Sequence, residues 1–344
     1  MRPARVRTAG TAAITLTLVA GLLVSVGAAV TVGPADLSIG TVWAVIGEHL
    51  GLAQADVSVL RDHIVWDLRL PRVLAAAAVG AGLAAAGAVM QTVTRNPLAD
   101  PYLLGVSSGA ALGAVLVIVA GIGGGMVAVS GGAFAGALAT FAVVVLIAGR
   151  RGALSPARVV LTGVAIAQLC AACTSFVIIW VGDPNATQSI TFWLSGSLAG
   201  ATWAKLAWAI PALAAVLLLV LTQARTLNAF AFGEEAAATL GVDVTRTRWL
   251  LLIATALLTA VLVAISGAIG FVGLILPHAA RFLAGPDHRR LLPVVVPAGA
   301  IFLIWVDTAA RTVFEPRELP VGVLTALLGV PAFLMLLRRR EVRG

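Results

Sequence analysis

Few residues in this 344-residue chain are of types that do chemistry, and their spacing narrows the choice further. Cys170 and Cys173 form a C-x-x-C, the spacing of a redox dithiol. They lie inside an apolar run, however, whereas thioredoxin-like chemistry needs a solvated helix start, so plain helix packing is the expected role. His278 and Arg281 are three apart, on one helix face near the inner end of another apolar run, where long polar side chains snorkel to the headgroups. The only lysine, Lys205, stands in Trp203-Ala204-Lys205-Leu206, so the chain has no G-x-x-x-x-G-K-[ST] phosphate loop and is not a conventional nucleotide hydrolase. No H-E-x-x-H, G-x-S-x-G or zinc-spaced Cys/His cluster occurs. The reading is therefore no catalytic residue, no metal site and no cofactor bound by this chain.

Two acidic features remain. Asp307 is the main charge inside an apolar span, and Arg311 follows four residues later, the spacing of a helical ion pair near the outer surface. Glu234 and Glu235 open a stretch, Glu234 to Leu240, that reads as two helical turns. Gly233 precedes it, the acids sit at the positive end of the helix dipole, and Gly241 suits the left-handed residue that ends a helix. This helix lies in Gln223 to Trp249, the long polar interruption in the second half of an oily chain. It is either a passive surface staple or a lever that a soluble partner pushes.

The elements that position these residues follow from composition. The chain is 60% hydrophobic and 11% charged, where ordinary soluble domains carry about a quarter charged residues. Long apolar runs make it an all-α polytopic membrane protein. The runs are Ala9 to Val32, the segment after Arg69-Leu70-Pro71-Arg72 as far as Gln91, then 102–121, 126–148, 159–182 and 203–222. Leu250 to Leu283 is too long for one crossing and breaks at Ser266-Gly267 and Gly270 into two, the second short and carrying Pro277. The last are 291–310 and 320–337, giving about ten spans in a single domain over 1–344. The first run is about twice the ~7–15 residues of a signal-peptide core, so it is read as a retained span. One short helix is expected around Thr41 to Leu50.

The net charge is +8, from 22 arginines and one lysine against 15 acidic residues, and the basic residues are set between apolar runs rather than on one solvated face. That pattern points to membrane topology and not to nucleic acid. With the N-terminus inside, seventeen of the 23 basic residues fall in inner segments, so both termini and the Glu234 helix are read as cytoplasmic. Gly80, Gly82 and Gly87, Gly109 and Gly113, and Gly132 and Gly136 favour close helix packing. Spans nearly free of charge disfavour a self-powered secondary carrier, which usually buries acids or bases to bind its coupling ion. The energy for transport would then come from another chain.

Five segments in order resemble the FecCD-type permeases, membrane subunits of ABC importers for ferric siderophores, haem and vitamin B12. They are 69–113 (RLPRVLAAAAVGAGLAAAGAVMQTVTRNPLADPYLLGVSSGAALGA), 192–203 (FWLSGSLAGATW), 233–248 (GEEAAATLGVDVTRTR), 267–293 (GAIGFVGLILPHAARFLAGPDHRRLLP) and 318–337 (ELPVGVLTALLGVPAFLMLL). The resemblance implies a type II ABC importer permease fold in the bacterial cytoplasmic membrane. It implies a homodimer or heterodimer of permeases, two cytoplasmic ATPase subunits that use ATP and magnesium, and an extracellular binding protein. It places Gly233, Glu234, Glu235, Ala236, Leu240 and Gly241 at the ATPase cleft, and 223–249 becomes a coupling loop. Arg69, Arg72 and Arg311 match arginines that meet acidic residues of the binding protein, and Leu154, Ser155, Pro156 and Ala157 fall at the inner gate. Small hydroxyl residues occupy the positions of Pro156 and Ala157 in vitamin B12 carriers of the family. The expected cargo is a ferric siderophore, with haem or a cobamide as the alternative.

Overall fold

The computed structural model describes residues 4–33, 35, 37–52, 54, 57–123, 125–149 and 156–341. The described residues are helical with connecting turns. In chain order the helices are α1 (Ala4–Thr31), α2 (Ile39–His49), α3 (Val59–His63), α4 (Leu70–Val93), α5 (Val106–Val119), α6 (Gly125–Gly149), α7 (Pro156–Val181) and α8 (Pro184–Leu194). Then come α9 (Trp203–Thr222), α10 (Ala224–Ala231), α11 (Glu234–Thr239), α12 (Val244–Ser266), α13 (Val272–Ala284), α14 (His288–Thr312) and α15 (Val321–Glu341). A π-helical stretch, Ile64–Arg69, runs into α4, and a 3₁₀ turn, Pro101–Leu104, precedes α5.

Seven helices are long and apolar enough to cross a membrane, and three shorter apolar ones, on α5, α13 and α15, complete the ten expected spans. An even number of passes returns the chain to the end at which it began. The boundaries moved in three places. α12 starts at Val244 and not at Leu250, because Asp243 caps it by accepting the Arg246 N–H at 3.0 Å. The third span is α5 alone, since Asp100 caps a separate turn by accepting from the Tyr102 N–H. Two helices, α8 and α10, occupy stretches read as connections. α8 starts where Asp183 accepts the Asn185 N–H and Pro184 takes the first position.

α4 is the hub: 89% of the apolar window leading through it is buried, against 11% for α7. Lipid is as apolar as leucine, so what drives helices together in a bilayer is close contact. α4 supplies this with glycines. A Cβ at Gly80 would overlap the carbonyl of Gly299 on α14, and one at Gly87 would overlap that of Gly273 on α13. α5 and α6 pair in the same way through Gly109 and Gly113 against Gly136 and Gly132.

The break between α12 and α13 falls at 267–271, as the sequence suggests, with Gly267 and Phe271 at positive φ (65° and 69°). It is pinned from two sides. The Tyr102 hydroxyl donates to the Ile269 carbonyl at 3.0 Å and accepts the Ile269 N–H at 3.1 Å. The Ser197 N–H donates to the Ser266 carbonyl at 2.8 Å.

Candidate functional site

The 223–249 segment holds two short helices, α10 and α11, ahead of the start of α12, and what they present differs from what they hold. Gly233 (φ 110°) and Gly241 (φ 81°) bracket α11 in conformations that side-chain-bearing residues rarely adopt. Within the bracket Glu235 is exposed, and the flanking Phe232 and Leu240 are 81% and 72% exposed. An acid set between two exposed apolar side chains suits contact with another protein.

Glu234 faces the other way. Its carboxylate lies 2.5 Å from the guanidinium of buried Arg248, in the second turn of α12, and Arg248 sits 5.9 Å over the Phe230 ring of α10. One arginine therefore joins α10, α11 and α12. α10 is tied further. Asn228 donates from Nδ2 to Asp287 at 2.6 Å, while its Oδ1 accepts from the His288 backbone N–H (2.8 Å) and from the His288 ring at Nδ1 (2.9 Å). The other ring nitrogen, Nε2, lies 2.8 Å from the Thr92 hydroxyl on α4. Asp287 also caps α14. Burial pushes its carboxyl up, but the Asn228 amide, the Arg289 N–H and the charges of Arg290 and Arg289 outweigh it and hold the group below the usual carboxylate range. These contacts tie α10 and α11 to the ends of α4, α12 and α14.

His278 and Arg281 were expected to snorkel. Instead His278 is buried, and Arg281 donates to Oε1 of Gln91 on α4, while Gln91 Nε2 donates to the Leu274 carbonyl at 3.0 Å. The pair fastens α13 to α4. Cys170 and Cys173 are free thiols on α7, Cys170 buried beside Thr140.

At the opposite end, the three arginines matched to docking are largely internal. Arg69 is 5% exposed and donates to the carbonyls of Val30, Thr31 and Ala35. Arg311 is 6% exposed and donates to the Ala29 carbonyl. Asp307 was paired with Arg311 on spacing alone; its closer partner is Arg72, which clamps it through Nε and Nη2 at 2.8–3.1 Å, with Arg311 at 3.8 Å. Arg72 Nη2 also reaches Glu318 at 2.5 Å, and Nη1 has no acceptor among the described residues. Arg69, Arg72, Arg311 and Glu318 line a cavity of about 580 Å³, together with exposed Glu315 and Arg317.

Of the inner-gate stretch, Leu154 and Ser155 lie outside the described residues, as does the side chain of Pro156. The backbone of Pro156 opens α7, and Ala157 is exposed. A separate cavity of about 360 Å³ lies between the 3₁₀ turn, α7 and the α12–α13 break, with Asp100, Tyr102 and Gln168 as its polar lining.

Comparison with known proteins places this geometry. A model of the FecCD transport family matches residues 19–339. The cobalamin import permease BtuC of Halobacterium salinarum is 44% identical, over 99% of this chain and 91% of that protein. The hemin transport permease HmuU of Yersinia pestis is also 44% identical, over 82% of this chain and 85% of that protein. A solved inward-facing conformation of a metal-chelate type ABC transporter superposes with a TM-score of 0.83 at 32% identity, covering 95% of this chain and 99% of that one.

Proposed function

This chain belongs to the FecCD transport family and is a permease of the ABC-importer class, and on that footing we propose that it carries a ferric siderophore inward across a bacterial cytoplasmic membrane, powered by a separate ATPase. The observation that carries the coupling is the surface of Phe232, Glu235 and Leu240, tied through Arg248 and Asn228 to three span ends. In this reading an ATPase cleft grips the exposed side chains. Nucleotide-driven closure of the ATPase pair then displaces α10 and α11, and the ion pair and the Asn228 bonds move α12, α14 and α4 together.

The permease supplies the path and no covalent chemistry. The sparsely exposed polar lining at Asp100, Tyr102 and Gln168 suits a bulky cargo that must pass without being held. Tight recognition belongs to an extracellular binding protein. α7 leaves Leu161, Leu169, Phe176, Ile179 and Trp180 exposed; against a second permease subunit this face would close the path from the other side.

The arginine end is the docking face in this reading, and burial divides its labour. Arg69 and Arg311 line the cavity, while Arg72 Nη1 and exposed Arg317 remain for an acidic partner. Such charge matching steers and orients docking. Arg317→Glu is expected to weaken binding-protein association without lowering thermal stability, whereas Arg69→Glu is expected to lower folding yield. Association unchanged by Arg317→Glu at low salt would remove the docking role.

A second reading keeps the mechanism and changes the cargo to a cobamide or haem, favoured by the names of two relatives of this chain. Uptake of labelled iron as ferric siderophore, of cobalamin and of haem, compared in cells lacking the gene and in complemented cells, decides among the three.

A further inference from the structure

The single lysine takes no part in the coupling or docking surfaces, and its surroundings are unusual for a cation. Lys205 lies in the first turn of α9, capped by Thr202, and is 3% exposed. Its Nζ donates to the Gly200 carbonyl at 2.8 Å, and among the described residues it has no carboxylate within ion-pair distance. An ammonium group can make three hydrogen bonds, and one sunk in a membrane-spanning bundle without a counter-charge is costly.

Lys205 lines a groove of about 510 Å³ between α6 and α9, together with Ser130, Gly131, Phe134 and Trp208. The groove runs from the end where both helices begin, through Lys205 and Ser130, toward Phe134 and Trp208, whose rings stand 6.4 Å apart edge to face. Aromatic residues cluster at the start of α9, where His49 stacks on Trp66 and Trp66 tilts against Trp203. Such a cluster marks the headgroup boundary of a bilayer. Along the groove a positive, hydrogen-bonding end at headgroup depth gives way to apolar walls within the hydrocarbon.

We propose that this groove is a phospholipid site in which Lys205 takes the phosphate of an acidic lipid and Phe134 and Trp208 flank one acyl chain. The lipid phosphate supplies the missing counter-charge, and the site holds α6 against α9 whatever the cargo of the permease.

The test is native mass spectrometry of the purified full chain titrated with phosphatidylglycerol. Lys205→Met is expected to weaken binding about fivefold, the size of one lysine–headgroup attraction, and Lys205→Arg to retain it. Gly131→Leu serves as a variant that blocks the groove from outside the bundle. A Cβ there meets open space, so the fold is kept while the acyl chain is excluded; the expected result is weakened binding with an unchanged melting temperature. Dioleoylglycerol, which lacks phosphate, should bind wild type no better than phosphatidylglycerol binds Lys205→Met, and millimolar inorganic phosphate should not displace the lipid. Equal phosphatidylglycerol affinity in wild type and in either Lys205→Met or Gly131→Leu would overturn the proposal. So would dioleoylglycerol binding that matches phosphatidylglycerol on wild type, or displacement by inorganic phosphate alone.

Discussion

Asp307 holds a clamp to Arg72 on α4 and a longer contact to Arg311 on its own helix, and its side chain is almost fully enclosed. Removing its charge leaves buried Arg311 without its carboxylate and Arg72 with Glu318 alone. Breaking one partner of such a pair costs about 3–5 kcal/mol, so Asp307→Asn should lower the detergent melting temperature sharply while a matched surface change, Glu315→Gln, leaves it in place. An unchanged midpoint for Asp307→Asn would show that the arginines find other partners. Asp287 gives a pH signature of its own. Its folded carboxyl lies below the ordinary range, so the stability it contributes is full above the unfolded value, near pH 4. That stability is lost as pH falls through the lowered folded value. Asp287→Asn should therefore flatten the acid limb of the stability curve below about pH 4 and leave its slope near neutrality alone. Of these contacts only Asp307–Arg311 was legible in the sequence. Arg72 and Asp307 are 235 residues apart, and helix spacing proposes neighbours only within one helix.

Among the elements, the long spans were legible because each is a sustained apolar run, and the break at Ser266-Gly267 because the combined run exceeds one crossing. α8 and α10 were not, since Pro184–Leu194 and Ala224–Ala231 are short and mixed in polarity, and such segments take their structure from what they pack on. The glycines of α4 were read as contact points, and the fold supplies their partners. Gly87→Val should block insertion of a folded bundle, because the new side chain would occupy the space of the Gly273 carbonyl; normal yield and melting temperature would show that α4 and α13 separate freely. α11 was legible as a helix with an acidic start, but the division of labour between its glutamates was not. Reversing Glu234 breaks the Arg248 pair inside the permease, so it tests folding and coupling at once. Phe232→Ser with Leu240→Ser leaves that pair whole. This double variant should insert and melt as wild type yet lose most of its stimulation of the ATPase, and full stimulation would mean that the grip lies elsewhere.

For the molecule as a whole, the proposed account is a path whose two faces are worked by other chains: a cargo-bearing partner at the arginine end and an ATPase at the α10–α11 end. The family resemblance in the sequence anticipated a FecCD-type permease, and the family match over 19–339 bears that out. The cargo was not legible, because recognition in this reading belongs to the extracellular partner and the cavity lining offers few polar groups to read. The most direct test is ATP-dependent uptake of labelled ferric siderophore into proteoliposomes holding this permease with its ATPase and binding protein, comparing wild type with Glu235→Arg. Wild type should accumulate iron only when ATP is present, and Glu235→Arg, which leaves the Glu234–Arg248 pair intact, should assemble normally but accumulate little. Accumulation without ATP, or full accumulation by Glu235→Arg, would contradict a permease driven through this helix.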